Sequence, residues 1–378
     1  MFIMKKSILK TLSVLMVLVT LFSTYSVFAF AQAENYSLIV TDTIPANTGV
    51  DVSDALQQLI DDNPNRTIYF PDGEYLLSKP LKTPADPKKS VSLRLADYAV
   101  IKAIGDWTYG EALIQLGGKD PYNTTRVNGS NYALEGGIID GSNMANGISI
   151  NSGRETAVRN CSIKNTVVGL HIMYGANSGS SDSDIFGVNI IGTGNTDSVG
   201  MLVEGFDNTI TNSRIGNVFI GVHVKSGGNM LRNIHPLYTS DYTDFLNSCG
   251  FLLECGDNWL DYCYSDQFGI GFRITGNHRV TLHDCFCYWY SPNGGTHTAI
   301  KADQQFEAAV TNFRAGFQKE TDENKMLSVG KIGGTGTITN LSVASDRVKD
   351  HSYKAYVTDN TFIERVFGFL LLLFSFIK

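Results

Sequence analysis

From residue 146 the chain is written in short runs in which apolar and polar residues alternate. Each run opens on a glycine: Gly147-Ile148-Ser149-Ile150, Gly169-Leu170-His171-Ile172, Gly200-Met201-Leu202-Val203, Gly221-Val222-His223-Val224, Gly250-Phe251-Leu252-Leu253 and Gly271-Phe272-Arg273-Ile274. A period of two belongs to a β-strand with one buried face. The pattern therefore predicts Ile148, Leu170, Met201, Val222, Phe251 and Phe272 inside. The next residues point out: Ser149, His171, Leu202, His223, Leu252, Arg273 and, one repeat later, Lys301. Two positions on, a second outward column reads Asn151, Met173, Glu204, Lys225, Glu254, Thr275 and Asp303.

A second motif sits between these runs. Asn160, Asn212, Asn233, Asn312 and Asn340 recur at one offset, as in Ile210-Thr211-Asn212-Ser213 and Leu231-Arg232-Asn233-Ile234. A turn residue repeated once per coil stacks as a ladder of amides, each able to bond the coils above and below. A repeat of 21–22 residues with two or three short strands is one rung of a β-helix, with successive rungs paired in parallel about 4.8 Å apart. The Leu-x-x-Leu-x-Leu register of leucine-rich repeats is absent. The pattern predicts a single right-handed parallel β-helix over residues 34–360, with a short N-terminal capping helix at Val52–Asp62, where apolar residues fall at helical spacing.

Both ends differ from the repeat. Lys5, Lys6 and Lys10 precede an apolar run from Leu12 to Phe22, and Ala31-Gln32-Ala33 follows. A basic start, an apolar middle and small residues read as a bacterial-type signal peptide over 1–33, hence a secreted or cell-surface protein. Residues 361–378 form an apolar tail, nearly continuous over 366–377. It is short for a membrane span, and reads equally as a membrane-seeking tail, a packed cap or the product of an altered frame. Net charge is −7 with no basic patch, which excludes a nucleic-acid partner. Six cysteines lack paired CxxC spacing, so no metal site is expected from them, and they read as small buried residues ahead of disulfides.

The segment Thr48-Gly49-Val50-Asp51-Val52-Ser53-Asp54-Ala55-Leu56, followed by Ile68-Tyr69-Phe70-Pro71-Asp72-Gly73-Glu74-Tyr75-Leu76, resembles the entry of pectate-lyase-superfamily proteins related to polygalacturonases. With the rung pattern, the resemblance extends to about residue 345. It implies the β-helix fold and a polysaccharide partner, in a superfamily of lyases, hydrolases, epimerases and phage tailspikes. Reaction motifs do not carry over. Asn195-Thr196-Asp197 matches one polygalacturonase tripeptide, but the paired Asp-Asp, Gly-His-Gly and Arg-Ile-Lys are missing, as are the Trp-Ile-Asp-His and Arg-x-Pro-x-x-Arg of pectate lyases.

Unequal repeat lengths locate candidate chemistry. The extra residues are read as loops at one corner, Ile191–Ser198, Pro236–Ser248 and Tyr288–His297. They carry Asp197, Tyr238, Asp241, Tyr242, Asp244, Tyr288 and Trp289, a substrate-binding wall in which rings cover sugar faces and carboxylates take hydroxyls. On the adjoining strand Glu204 and Glu254 stand two rungs, about 9.6 Å, apart, with Lys225 between them. That spacing suits the acid and base of an inverting glycosidase. A lyase would instead use His223, Lys225 or Arg273, with Ca²⁺ held by loop carboxylates. The expectation is a carbohydrate-active enzyme, hydrolase ahead of lyase, needing no cofactor unless a lyase. Its rivals are a non-catalytic glycan-binding or adhesion β-helix and a structural surface protein. The fold also admits a homotrimer, and membrane contact is expected only through the C-terminal tail.

Overall fold

The computed structural model describes residues 37–123, 132–238, 245–290, 297–318 and 324–358. The proposed signal peptide and apolar tail lie outside them. Among the described residues no helix is long and apolar enough to cross a membrane.

The chain winds as a right-handed parallel β-helix. One face is a ten-stranded parallel sheet running from Leu81–Pro84 through Ala112–Lys119, Asn146–Ile150, Val168–Ile172, Val199–Val203, Ile220–Val224, Cys249–Leu253, Ile270–Ile274 and Thr298–Ala302 to Lys325–Val329. The glycine alignment is its register: Ile148 pairs with Leu170, Leu170 with Met201, Met201 with Val222, Val222 with Phe251 and Phe251 with Phe272. All six are fully buried, as the alternation predicts. Phe251 and Phe272 stack with centroids 4.8 Å apart.

The other faces are two parallel ladders joined at the asparagine corner. The first includes Ala157–Arg159, Asp184–Phe186, Asn258–Asp261, Val280–His283 and Ala309–Thr311; the second includes Ser162–Thr166, Asn189–Gly192, Tyr264–Asp266, Phe286–Trp289 and Arg314–Phe317. Thr209–Gly216 and Met230–Leu237 run through both. Asn160, Asn212, Asn233, Asn312 and Asn340 all have φ between 52° and 55°. This is the left-handed region, where asparagine is tolerated, so the motif marks the bend itself. The amide ladder forms in two places, Asn233 Nδ2 to Asn212 Oδ1 (2.8 Å) and Asn340 Nδ2 to Asn312 Oδ1 (2.6 Å). Tyr262 and Asp284 take the corner between them.

A second, fully buried ladder lies at the corner after the ten-stranded sheet. Asn229 Oδ1 accepts from Asn208 N (3.1 Å) and Nδ2 (2.8 Å), and Asn258 Oδ1 accepts from Asn229 N (3.0 Å) and Nδ2 (3.2 Å). It ends where Val280 takes the position. The glycine column has a different cause. A Cβ on Gly147, Gly169, Gly200 or Gly221 would lie 2.4–2.6 Å from the carbonyl of the glycine on the next rung.

Helix Ser53–Asp62 caps the first rung with Leu56 and Ile60 buried. Its Gln57 completes the open edge of the sheet: Nε2 donates to Lys82 O (3.0 Å) and Oε1 accepts from Lys82 N (2.8 Å). An edge strand needs such a cover. The six cysteines are free thiols, and all but Cys255 are buried. Burial pushes the thiols of Cys161 and Cys249 up to about 12.

Insertions occupy two corners rather than one. Part of the long repeat after Gly169 forms a hairpin at the exit of the ten-stranded sheet, Tyr174–Gly175 against Ser178–Ser181, which extends to Ser152–Arg154. Glycine spacing measures how long a rung is and carries no information on which corner bulges.

Candidate functional site

The two outward columns of the ten-stranded sheet stand as the alternation places them. His171 pairs with Leu202, Leu202 with His223, His223 with Leu252, Leu252 with Arg273 and Arg273 with Lys301. Glu204, Lys225 and Glu254 follow on three successive rungs, fixed by bonds from their amides to Ile172 O (2.9 Å), Val203 O (2.8 Å) and Val224 O (2.8 Å).

Each carboxylate is already engaged. Glu204 Oε2 lies 2.8 Å from His171 Nε2 and Oε1 lies 3.0 Å from Lys225 Nζ. An ionised carboxylate only accepts, so the His171 proton sits on Nε2. The His171 bond, reinforced by Lys225 and opposed by burial, holds the Glu204 carboxyl at about 2. Glu254 Oε1 is 2.9 Å from His223 Nε2, near but not aligned as a hydrogen bond. On the next rung Arg273 reaches forward to grip Asp303, through Nε (3.0 Å) and Nη2 (2.9 Å). Leu252 packs with Cys249 and Ile270 in a small apolar cluster on the outside of the sheet.

The Glu204 pair makes acid stability testable. Its carboxyl is depressed in the folded state, so its stabilisation is fully present above pH 4.5 and is lost as pH falls through about 2. Glu204→Gln is therefore expected to lower stability above pH 4.5, the deficit shrinking toward pH 2. Urea midpoints along that pH range check it; a deficit independent of pH would sink the assignment.

The expected binding wall is dispersed. Tyr238 is buried against Phe268, with ring centroids 5.5 Å apart. Trp289 is 3% exposed, stacks on Phe317 at 4.6 Å and donates from Nε1 to Phe268 O (2.6 Å). Both are core residues, because the strands they end turn inward at the corner, and neither offers a face to a sugar. Tyr288 points outward from the second ladder, over Gly316. Asp197 is exposed and accepts from the Tyr109 hydroxyl (3.3 Å). Asp241, Tyr242 and Asp244 lie outside the described residues. His297, at the end of the last loop, is buried and pushed down to about 4 by that burial. Asp197 and Glu204 flank opposite ends of strand Val199–Val203, so they do not converge on one point.

Sequence reasoning missed the residues flanking the strip. The exit-corner hairpin brings exposed Tyr174 against Phe206, edge to face at 5.1 Å, beside Glu204 in the chain. The paired histidines were legible: His171 and His223 both stand two residues after their glycines.

The strip does not fit Ca²⁺, which needs a cage of six to eight oxygens. Glu204, Glu254 and Asp303 each face a cationic or imidazole partner instead. Among the described residues one group brings three metal-type donors within 4.8 Å, Asp261, His283 and Asp284 at the asparagine corner. Arg232 already pairs with Asp261 there (3.2 Å), and the Asp261 hydrogen bond raises the His283 imidazole.

No protein-family model and no curated sequence matches this chain. Solved structures do match. ORF18 of Geobacillus virus E2 aligns with a TM-score of 0.60 at 14% identity, over 82% of this chain and 61% of that one, so the chain spans less than two thirds of the viral protein. Alginate lyase from Paenibacillus sp. FPU-7 aligns at 0.53 and 14% identity, over 81% of this chain and 99% of the lyase. Endo-xylogalacturonan hydrolase from Aspergillus tubingensis aligns at 0.52 and 14% identity, over 86% and 99%. The fold is thus the pectate-lyase-like parallel β-helix. At these identities the likeness is one of fold alone.

Proposed function

We propose that this protein binds a polysaccharide along the outer face of its ten-stranded sheet, without cleaving it. The observation that carries this reading is the line of partly exposed groups along the helix axis, Glu204 paired with His171 and Lys225 and, two rungs on, Glu254 beside His223. Paired carboxylates keep lone pairs for sugar hydroxyls, Lys225 keeps donors, and Tyr174 supplies a ring at one end. Two fold neighbours bear the names of enzymes acting on polysaccharides, which supports the ligand class. Against hydrolysis, Glu204 holds no proton to give at neutral pH, and both its oxygens are committed.

Catalysis is the second reading, and Glu254 favours it. It is the more exposed of the two glutamates and touches its partner through one oxygen. It would serve as the acid of a hydrolase, or orient His223 as the base of a lyase.

Affinity electrophoresis of the full chain through gels containing plant and bacterial polysaccharides separates the readings when products are assayed alongside. Retardation on at least one polysaccharide without new reducing ends is expected. Lys225→Ala and Tyr174→Ala should each weaken it about tenfold, or ~1.4 kcal/mol. Reducing ends lost in Glu254→Gln would replace the binding reading by hydrolysis, and unsaturated uronates by elimination. No retardation and no product would end both.

A further inference from the structure

A different face of the coil carries a trough with mixed lining. It sits on the second ladder, which leads into the long loops. Ile191, Gly216 and Leu237 are successive rungs of one outward column. Gly216 has no side chain, so a gap opens between two apolar ones, and the open trough of which it is the floor has a volume of ≈ 450 Å³. That lies in the range of small-ligand pockets, roughly 300–1,000 Å³. The gap comes from the residue type and not from the backbone. Gly216 is not among the positive-φ glycines, and a Cβ there would meet only the end of the Ile191 side chain, at 3.2 Å.

The neighbouring outward column is polar. Asn189, Arg214 and His235 pair in register, and all three line the trough. His235 is held in place: it stacks on Tyr264 with centroids 4.2 Å apart, and its Nε2 lies 3.6 Å from Asp266 Oδ2. Arg214 is exposed; it donates to the Ser213 carbonyl (3.3 Å) and pairs with no carboxylate among the described residues. The trough therefore presents a guanidinium that forms no ion pair among the described residues, in a protein of net charge −7.

We propose that this trough is a second saccharide site, selective for a sugar unit that carries a carboxylate. Arg214 forks onto the carboxylate, the geometry a guanidinium matches best. Ile191 and Leu237 cover the apolar face of the ring across the Gly216 gap, and His235 and Asn189 meet its hydroxyls. The site is separate from the strip on the ten-stranded sheet and does not rest on it.

Calorimetric titration of the full chain with trimers of galacturonate, mannuronate and glucuronate, and with their methyl esters, tests the proposal. At least one trimer should bind, and its methyl ester at least tenfold more weakly. Arg214→Gln should cost the free acid tenfold or more and leave the ester unchanged. Gly216→Val, which fills the gap on a permissive backbone, should abolish both. Binding by none of the trimers would overturn the proposal. So would binding indifferent to Arg214→Gln, a variant of an exposed residue that leaves the fold intact. Loss on Lys225→Ala instead would move the uronate to the strip, sinking this site while sustaining the other.

Discussion

Asn229→Ala is expected to destabilise the coil by about 3 kcal/mol or more, the largest effect of any single polar truncation described. Asn229 is fully buried, and its side chain serves three rungs. Its Oδ1 accepts the Asn208 amide, and its Nδ2 donates to Ser226 O (3.2 Å), Gly227 O (3.2 Å) and Asn258 Oδ1. Truncation leaves buried backbone groups unpaired, each costing about 1–3 kcal/mol. Asn233 provides the contrast, because its amide ladder is exposed. Asn233→Ala loses little hydrogen bonding but strains a left-handed corner, for about 1 kcal/mol. Urea midpoints with unchanged slopes measure both. Equal losses in the two variants would show that the buried ladder contributes no more than the exposed one.

Gly221→Ala should cost about 3 kcal/mol for a steric reason. The added Cβ would sit 2.4 Å from Gly250 O and 2.4 Å from Pro236 Cβ, so a backbone carbonyl and a ring must both move. Overpacking of this kind costs about 1–3 kcal/mol, and more where backbone is the obstacle. Gly175 is the control: a Cβ there meets nothing within 4 Å, and Gly175→Ala should be near neutral. Thermal midpoints that fall equally in both would refute the close-approach account of the glycine column.

Much of this architecture was legible because a strand period of two leaves no freedom. Once the glycines are aligned, the inward phenylalanines and the outward Glu204–Lys225–Glu254 column follow, and a slip of one residue would turn every side chain over. The internal asparagine ladder was equally available: Asn208, Asn229 and Asn258 each stand eight residues after Gly200, Gly221 and Gly250. The site was less legible. Strand order gives rung positions but not which rotamers close across them, so the pairing of His171 with Glu204 had to be seen in three dimensions. Tyr238 and Trp289 looked like loop aromatics because each begins a long insertion. Their chain turns inward before the loop departs, and burial of a large ring outweighs its exposure by about 1.5–3 kcal/mol. Tyr174 was hidden by the same ambiguity that concealed the hairpin.

The two histidine–glutamate contacts point the same way. His171 reaches one rung toward the C-terminal end to meet Glu204, and His223 reaches one rung in the same sense to meet Glu254. Parallel winding repeats this arrow two rungs later, about 9.6 Å along the axis, while Lys225 reaches one rung back, to Glu204. The face is therefore a vector and not merely a stripe. If a glycan lies on this face as proposed, the head-first and tail-first orientations would meet different sequences of donor and acceptor, and one direction of binding is expected over the other.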